Sequence, residues 1–103
     1  MNMRYYTVGG DYKKKFRKLD NARKYAIEDG RKSKYYGRTN VTRTIMNEKN
    51  EFVGEVNVGD DRRPYPYWTT HYYKFNEYTG REMKMDRRWL LNKDGSLGKK
   101  VMG

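Results

Sequence analysis

The side chains that most often catalyse reactions are scarce in this sequence. Cysteine is absent, His71 is the single histidine, and the serines are Ser33 and Ser96. A nucleophilic serine needs a neighbouring base, and neither serine lies in a nucleophile-elbow sequence. His71 could be the general base of a metal-independent ribonuclease. We expect instead a half-buried histidine in a strand, and we predict that the protein is not an enzyme.

Carboxylates offer a second chemistry, that of metal-dependent nucleases. Divalent cations take oxygen ligands, and Asp60 or Asp61 followed later by Glu82-Met83-Lys84 supplies an acid and an E-x-K sequence. The acids precede two prolines in a loop, which departs from the restriction-endonuclease core that this spacing superficially resembles. The sequence contains no phosphate-binding loop, dinucleotide fingerprint, zinc-protease motif or EF-hand loop. We therefore expect no metal and no cofactor.

Cations interleaved with aromatic rings carry the stronger functional signal. Nucleic acids are bound by cations that displace condensed counterions and by flat side chains on which bases stack. Three segments, 12–18, 62–68 and 84–89, combine both kinds of residue. The predicted nucleic-acid-binding residues are Lys13, Lys14, Lys15, Arg17, Lys18, Arg62, Arg63, Tyr65, Tyr67, Trp68, Arg87 and Arg88. The cations would contact phosphates, and the rings would stack.

The rings in these segments have a second interpretation. Trp68 and Trp89 could lie in the core, with the cations as a solvated face. Tyr65 lies between two prolines and is harder to bury. The prediction therefore depends on the three segments forming one continuous surface. Neither DNA nor RNA is specified, because no recognition helix or RNA-binding signature is present.

The charge balance indicates the same class of partner. The chain has 103 residues, 24 Lys and Arg against 13 Asp and Glu, and a net charge of +11. The excess of cations lies before residue 39 and after residue 61, whereas the segment between is acidic. A compact chain so charged repels itself, and a polyanion would relieve that repulsion. The alternative is that the charge serves solubility alone.

A protein partner is the competing hypothesis. Exposed Tyr, Arg, Met and Trp are typical of protein interfaces. The chain would then be an interaction module, encoded by a phage or mobile element, that modulates a host nucleic-acid-processing or defence enzyme. Exposed sheet edges would also allow a homodimer. No apolar run approaches the roughly 20 residues that span a bilayer, so we expect a cytoplasmic protein without membrane association.

One helix and several strands must position these residues. Leu19, Ala22, Ala26 and Gly30 recur at spacings of three and four, which predicts a helix capped by Asp20 and ended by Gly30 or Gly37. Alternation and turn residues predict strands at 4–8, 41–46, 52–58, 67–75, 81–91 and 97–102. Residues 12–18 are either a further strand or the approach to the helix.

These elements predict the α+β fold class. We expect a single domain over residues 1–103, with one helix packed on a five- or six-stranded, mainly antiparallel sheet built from hairpins. Aliphatic residues are few, and a thin, tyrosine-rich core could replace them.

The segment from Arg4 to Ala26 has a family resemblance. A strand, a Gly-Gly-Asp turn, a basic strand ending in Phe16 and an Ala-x-x-x-Ala helix resemble the AP2-like arm-binding domains of phage integrases. The resemblance covers these residues only. That family has three strands before the helix where this sequence has two, so no functional residue is transferred from it.

Overall fold

The computed structural model describes residues 4–9, 11–33, 35–36, 40–59 and 66–103. Within them lie the strands and the helix β1 (Tyr6–Val8), β2 (Asp11–Phe16), α1 (Leu19–Arg31), β3 (Val41–Asn47), β4 (Phe52–Val58), β5 (Tyr67–Asn76), β6 (Arg81–Leu91) and β7 (Leu97–Met102). The strands form one antiparallel sheet in the order β2-β1-β3-β4-β5-β6-β7. The α+β class is confirmed. The predicted number of strands was too low, because the segment that the sequence left open between a strand and the approach to the helix forms β2 and joins the sheet.

Hairpins account for the strand order everywhere except at β1. This strand pairs with β2 on one side, and after the helix the chain returns so that β3 pairs on its other side, with Val8 opposite Ile45. Each strand from β3 to β7 then pairs with the next. As a result the three-residue β1 is internal, and the lysine-rich β2 and the strand β7 form the two edges.

The helix covers one half of one side of the sheet. It packs on β1, β2, β3 and β4, and we call this side of the sheet the helix face and the other side the open face. Ala22, Ala26 and Ile27 are fully buried against the inward side chains of these strands. Gly30 lies within the helix, where a Cβ would stand 2.6 Å from Val58 Cγ2. The small residues therefore let α1 approach the sheet closely.

The predicted cap at Asp20 is wrong, and the helix ends one residue after Gly30 and well before Gly37. Lys18 is the N-cap residue and makes no side-chain capping bond, whereas Asp20 lies in the first turn and pairs with Arg23 at 2.8 Å. The helix continues past Gly30 to Arg31, so this glycine is a packing residue and does not end the helix. No helix in the described ranges is long and apolar enough to cross a membrane.

Trp68 completes the core below the helix. It is 2% exposed, and the Arg23 guanidinium lies 4.5 Å from its ring centroid. Gly54 leaves room for the ring, because a Cβ there would stand 2.3 Å from Trp68 Cζ2. Of the two alternatives for Trp68, the core position is therefore the one observed. Because the ring is almost fully buried, it cannot stack on a ligand.

A register shift changes the side on which Phe52 lies. Ile45 is opposite Gly54, but the next pair is Met46 with Phe52, so β4 contains one extra residue at this point. Regular alternation along 52–58 would place Phe52 on the same side as Gly54. The bulge instead places it on the open face, where its ring stacks on His71 with the centroids 5.1 Å apart.

The β5–β6 hairpin extends beyond the rest of the sheet. Its ladder is unbroken from Tyr67 opposite Leu90 to Asn76 opposite Arg81. β4 pairs with β5 only as far as Thr69, and β7 pairs with β6 only from Arg88 onward. Residues 70–87 therefore form a two-stranded projection, which we call the arm. Both faces of the arm are accessible.

Candidate nucleic-acid interface

Strand pairing divides the side chains of β5 and β6 between the two faces. Trp68 contacts Arg23 of α1, so Trp68 and every second residue along β5 belong to the helix face. The cross-strand pairs on this face are Trp68–Trp89, Thr70–Arg87, Tyr72–Met85, Lys74–Met83 and Asn76–Arg81. The pairs on the open face are Tyr67–Leu90, Thr69–Arg88, His71–Asp86, Tyr73–Lys84 and Phe75–Glu82.

The part of the helix face that lies beyond α1 is strongly cationic. We call it the outer basic face, and its residues are Tyr72, Lys74, Arg81, Met83, Met85, Arg87, Trp89 and Lys100. The acidic residues of β6, Glu82 and Asp86, both lie on the open face. Within strands β5, β6 and β7 the outer basic face therefore carries no carboxylate. Between Tyr67 and Met102 the other two acids are Glu77 and Asp94, which lie in the two turns.

Two aromatic rings of the outer basic face are each contacted by a cation. Arg87 Cζ lies 4.1 Å from the centroid of Tyr72, and Lys100 Nζ lies 5.7 Å from that of Trp89. Cation–π contacts of this kind hold a ring and its cation in a defined arrangement. The planar guanidinium can itself stack on a base while it contacts a phosphate. Both rings are half-buried, and Trp89 also packs against the hydrophobic core, so the exposed part of each ring lies beside a cation.

A hollow lies at the tip of the arm, next to the outer basic face. It has a volume of about 480 Å³ and is lined by Lys74, Phe75, Asn76, Glu77, Tyr78, Met83 and Met85. Its walls are mostly apolar, with one cation and one carboxylate. The hollow has the size of a small-molecule site but is open to solvent.

The predicted lysine cluster lies at the far edge of the sheet. Lys13, Lys14 and Lys15 belong to β2, and β1, β3, β4 and β5 separate that strand from β6. At about 4.8 Å per strand, the two clusters are roughly 24 Å apart. Lys14 Nζ lies 4.4 Å from the Tyr25 ring centroid, whereas Lys15 Nζ lies 4.7 Å from that of Tyr5. Neighbouring lysines of this cluster therefore contact rings on different sides of the strand.

The other predicted residues are also divided. Arg17 and Lys18 are exposed at the end of β2. Arg88 lies on the open face, where its Nε donates to Thr69 Oγ1 at 3.3 Å and its Cζ is 5.8 Å from the Tyr67 ring centroid. Arg87 lies on the outer basic face. Arg62, Arg63 and Tyr65 lie outside the described residues, as do Asp60 and Asp61.

One continuous surface is therefore not formed by the described parts of the three segments. β2 and β6 are too far apart, and alternation along β6 sends Arg87 and Arg88 to opposite faces. The cations and aromatic residues of the outer basic face that the predicted set does not contain are Tyr72, Lys74, Arg81, Trp89 and Lys100. The sequence does contain a sign of this face. Both carboxylates of 81–91 occupy even-numbered positions, so the odd-numbered side of that strand is free of acids. The prediction grouped residues that are neighbours along the chain and did not separate the two sides of each strand.

His71 occupies the half-buried strand position that we expected. Its Nδ1 lies 2.6 Å from Asp86 Oδ1, and the Phe52 ring covers it. Among the described residues, no group of three His, Asp or Glu side chains is placed to hold a metal ion.

A tyrosine–carboxylate hydrogen bond connects the helix to β2. Tyr25 Oη donates to Asp11 Oδ2 at 2.9 Å, and this bond lowers the pKa of Asp11 and raises that of Tyr25. A lowered carboxyl pKa stabilises the fold above the unfolded-state pKa, and that stabilisation is lost as pH falls through the folded-state pKa.

Replacing Tyr25 with phenylalanine should raise the pKa of Asp11 toward its ordinary value of 3.8. The reason is that the ionised carboxylate loses its hydroxyl donor. Carboxyl-carbon NMR titration measures this change directly. Asp94, whose pKa is lowered by hydrogen bonds from Ser96, is the internal control and should not shift. An unchanged Asp11 pKa would contradict the assignment.

The chain was compared with known proteins by sequence and by structure. No family model, curated protein or solved structure matches it. Its function is therefore inferred from its own residues and their placement.

Proposed function

We propose that this is a small, non-catalytic nucleic-acid-binding protein and that the outer basic face is its binding surface. Lys74, Arg81, Arg87 and Lys100 would contact phosphates, while Tyr72 and Trp89 would stack on bases or sugars. The observation that supports the proposal most is the absence of carboxylates from this face of β5, β6 and β7, with two cations resting on aromatic rings.

The order of side chains favours an unpaired strand as the ligand. Arg87 follows Met85, which is opposite Tyr72, and precedes Trp89 on the same face. A cation therefore lies between two rings along the strand direction. An extended single strand can place its bases on the rings and its phosphates beside the cations. A duplex hides the faces of its bases and would use only the charges.

The cations of β2 would contribute in a different way. Lys13, Lys14 and Lys15 are exposed at the opposite edge of the sheet. They enlarge the positive field that attracts a polyanion and accelerates association. They are too far from the outer basic face to bind the same short segment of nucleic acid.

A salt titration tests this proposal. Affinity for a labelled single-stranded oligonucleotide is measured by fluorescence anisotropy as the salt concentration rises. Each neutralised phosphate of a single strand contributes a slope of about −0.7 to log K against log salt, so four cations should give a slope of about −3. Quenching of Trp89 emission should accompany binding. No affinity near 50 mM salt, or an affinity insensitive to salt, would contradict the proposal.

Single-stranded DNA and RNA are compared with a duplex of the same sequence. Stacking on Tyr72 and Trp89 predicts tighter binding of the single strands. A preference for the duplex would still support nucleic-acid binding, but it would contradict the stacking role of these rings.

A further inference from the structure

The open face of the arm carries a row of exposed rings. Tyr73 is 66% exposed, Phe75 is 60% exposed, and Phe52 on the neighbouring β4 is 42% exposed. Phe52 stacks on His71, which lies between Thr69 and Tyr73 along this side of β5. Contiguous exposed apolar side chains mark interaction surfaces. This row is distinct from the outer basic face, since it lies on the opposite side of the same strands.

The charges beside the ring row alternate in sign. On the open face β6 presents Glu82, Lys84, Asp86 and Arg88 in succession, each opposite a residue of β5. The charges of this row sum to zero, and its two carboxylates would repel a polyanion. A protein surface with matching charges is therefore the partner that the open face fits.

A row of alternating charges is complementary to its own reversed copy. Two molecules can be placed open face to open face, about a two-fold axis that is perpendicular to the strands and passes between Lys84 and Asp86. Each β6 then runs antiparallel over its symmetry mate. Lys84 faces the partner's Asp86, and Glu82 faces the partner's Arg88. Every charge of the row meets one of opposite sign.

The same axis also determines which residues of the second copy face the exposed rings. Because β5 runs beside β6 in register, Tyr73 faces the partner's His71 and Phe75 faces the partner's Thr69. Facing sheets pack about 10 Å apart, a gap that aromatic side chains from both sheets fill. The Tyr73 ring would meet the imidazole of the partner's His71, Phe75 would lie over the partner's Thr69, which is 3% exposed, and charges would meet opposite charges.

We propose that a second copy of this chain covers the open face, forming a symmetric dimer through face-to-face packing of β5 and β6. Such an isologous contact uses the same surface on both molecules. Several of its side chains are already held in place, since Asp86 contacts His71 at 2.6 Å and Arg88 donates to Thr69 at 3.3 Å. Less freedom is then lost on association. The two outer basic faces remain on the outside of the dimer.

Sedimentation equilibrium on protein freed of nucleic acid by nuclease treatment gives the first test. The arm offers a small area, so we expect a weak, reversible dimer. The apparent mass should rise from 12.5 kDa toward twice that value as the protein concentration increases. A mass that stays at the monomer value up to millimolar concentration would overturn the proposal. This measurement involves no nucleic acid and so is independent of the proposed function.

Charge-reversal variants give the sharper test. Lys84→Glu sets two carboxylates against each other across the axis, and Asp86→Lys does the same with two ammonium groups, so each variant alone should be monomeric. In an equimolar mixture every facing pair is complementary again. Native mass spectrometry should then show the heterodimer. Because only folded chains can form it, the mixture also shows that the variants fold.

Lys74→Glu is the matched control. It makes the same change in net charge as Lys84→Glu, but on the opposite face of the arm. It should leave the association constant within about twofold of the original value. Lys84→Glu that dimerises like the unaltered protein, or a mixture of two well-folded variants that fails to associate, would overturn the proposal.

Discussion

Replacing Gly95 with alanine should lower the free energy of unfolding by about 3 kcal/mol. Gly95 has a φ of +86°, a conformation that is strained for any residue with a Cβ. It also lies against the first turns of the helix, where a Cβ would stand 1.9 Å from the Asp20 carbonyl oxygen and 2.7 Å from the Lys24 nitrogen. Both atoms belong to helix backbone and cannot move aside without disturbing α1.

The consequences of this substitution should extend beyond the turn. The Gly95 carbonyl accepts a hydrogen bond from Arg23 Nη1 at 3.3 Å, and Arg23 covers the Trp68 ring. Displacing the β6–β7 turn would therefore disturb the side chain that packs on the main aromatic of the core. Domains of this size have a total stability of about 5–15 kcal/mol, so the loss is a large fraction of it.

Gly80→Ala is the matched control for this prediction. Gly80 also lies in a hairpin turn with a positive φ, +67°, but a Cβ there has no atom within 4 Å. Only the backbone strain remains, and we expect a loss of about 1 kcal/mol. Urea denaturation followed by circular dichroism measures both values. Equal losses for the two glycines would show that contact with α1 contributes nothing.

Removing two cations from the outer basic face should weaken nucleic-acid binding by about 100-fold. The double variant Lys74→Ala with Arg87→Ala removes one cation from each strand of the arm. Arg87 also rests on Tyr72, 4.1 Å from its centroid, so its loss removes a positive charge and also the cation that holds this ring in place. Charge-assisted contacts contribute at least about 1.5 kcal/mol each, so the loss of two costs about 3 kcal/mol, which corresponds to the expected loss of about 100-fold.

The matched control removes two lysines from elsewhere on the surface. Lys84→Ala with Lys49→Ala makes the same change in net charge, at the open face of the arm and in the β3–β4 turn. Anisotropy with an oligonucleotide too short to reach two molecules should show a loss of no more than about threefold, as expected for a screened change in overall charge. Equal losses in the two double variants would mean that net charge, and not the outer basic face, determines affinity.

Local patterns in the sequence were sufficient to predict most secondary structure. The spacing of Leu19, Ala22 and Ala26 predicted the helix, because an amphipathic period depends only on residues close in the chain. Alternation along the predicted strand 67–75 likewise puts His71, Tyr73 and Phe75 on one side, and the register of β5 agrees with it. The excess of cations and rings was equally visible. Whether it serves nucleic-acid binding stays a prediction.

Tertiary structure decided which of those residues share a surface. Alternation separates two sides of a strand but does not say which side the helix covers, so Trp68 could be assigned to the core only once α1 was seen to pack over it. Strand order depends on contacts between distant segments, and it placed the lysines of β2 at the opposite edge from Arg87. The extra residue in β4 moved Phe52 to the open face. The sequence alone determined the composition and local periodicity of this protein, whereas strand pairing and helix placement, which are long-range packing effects, separated a cationic face from one whose charges alternate in sign.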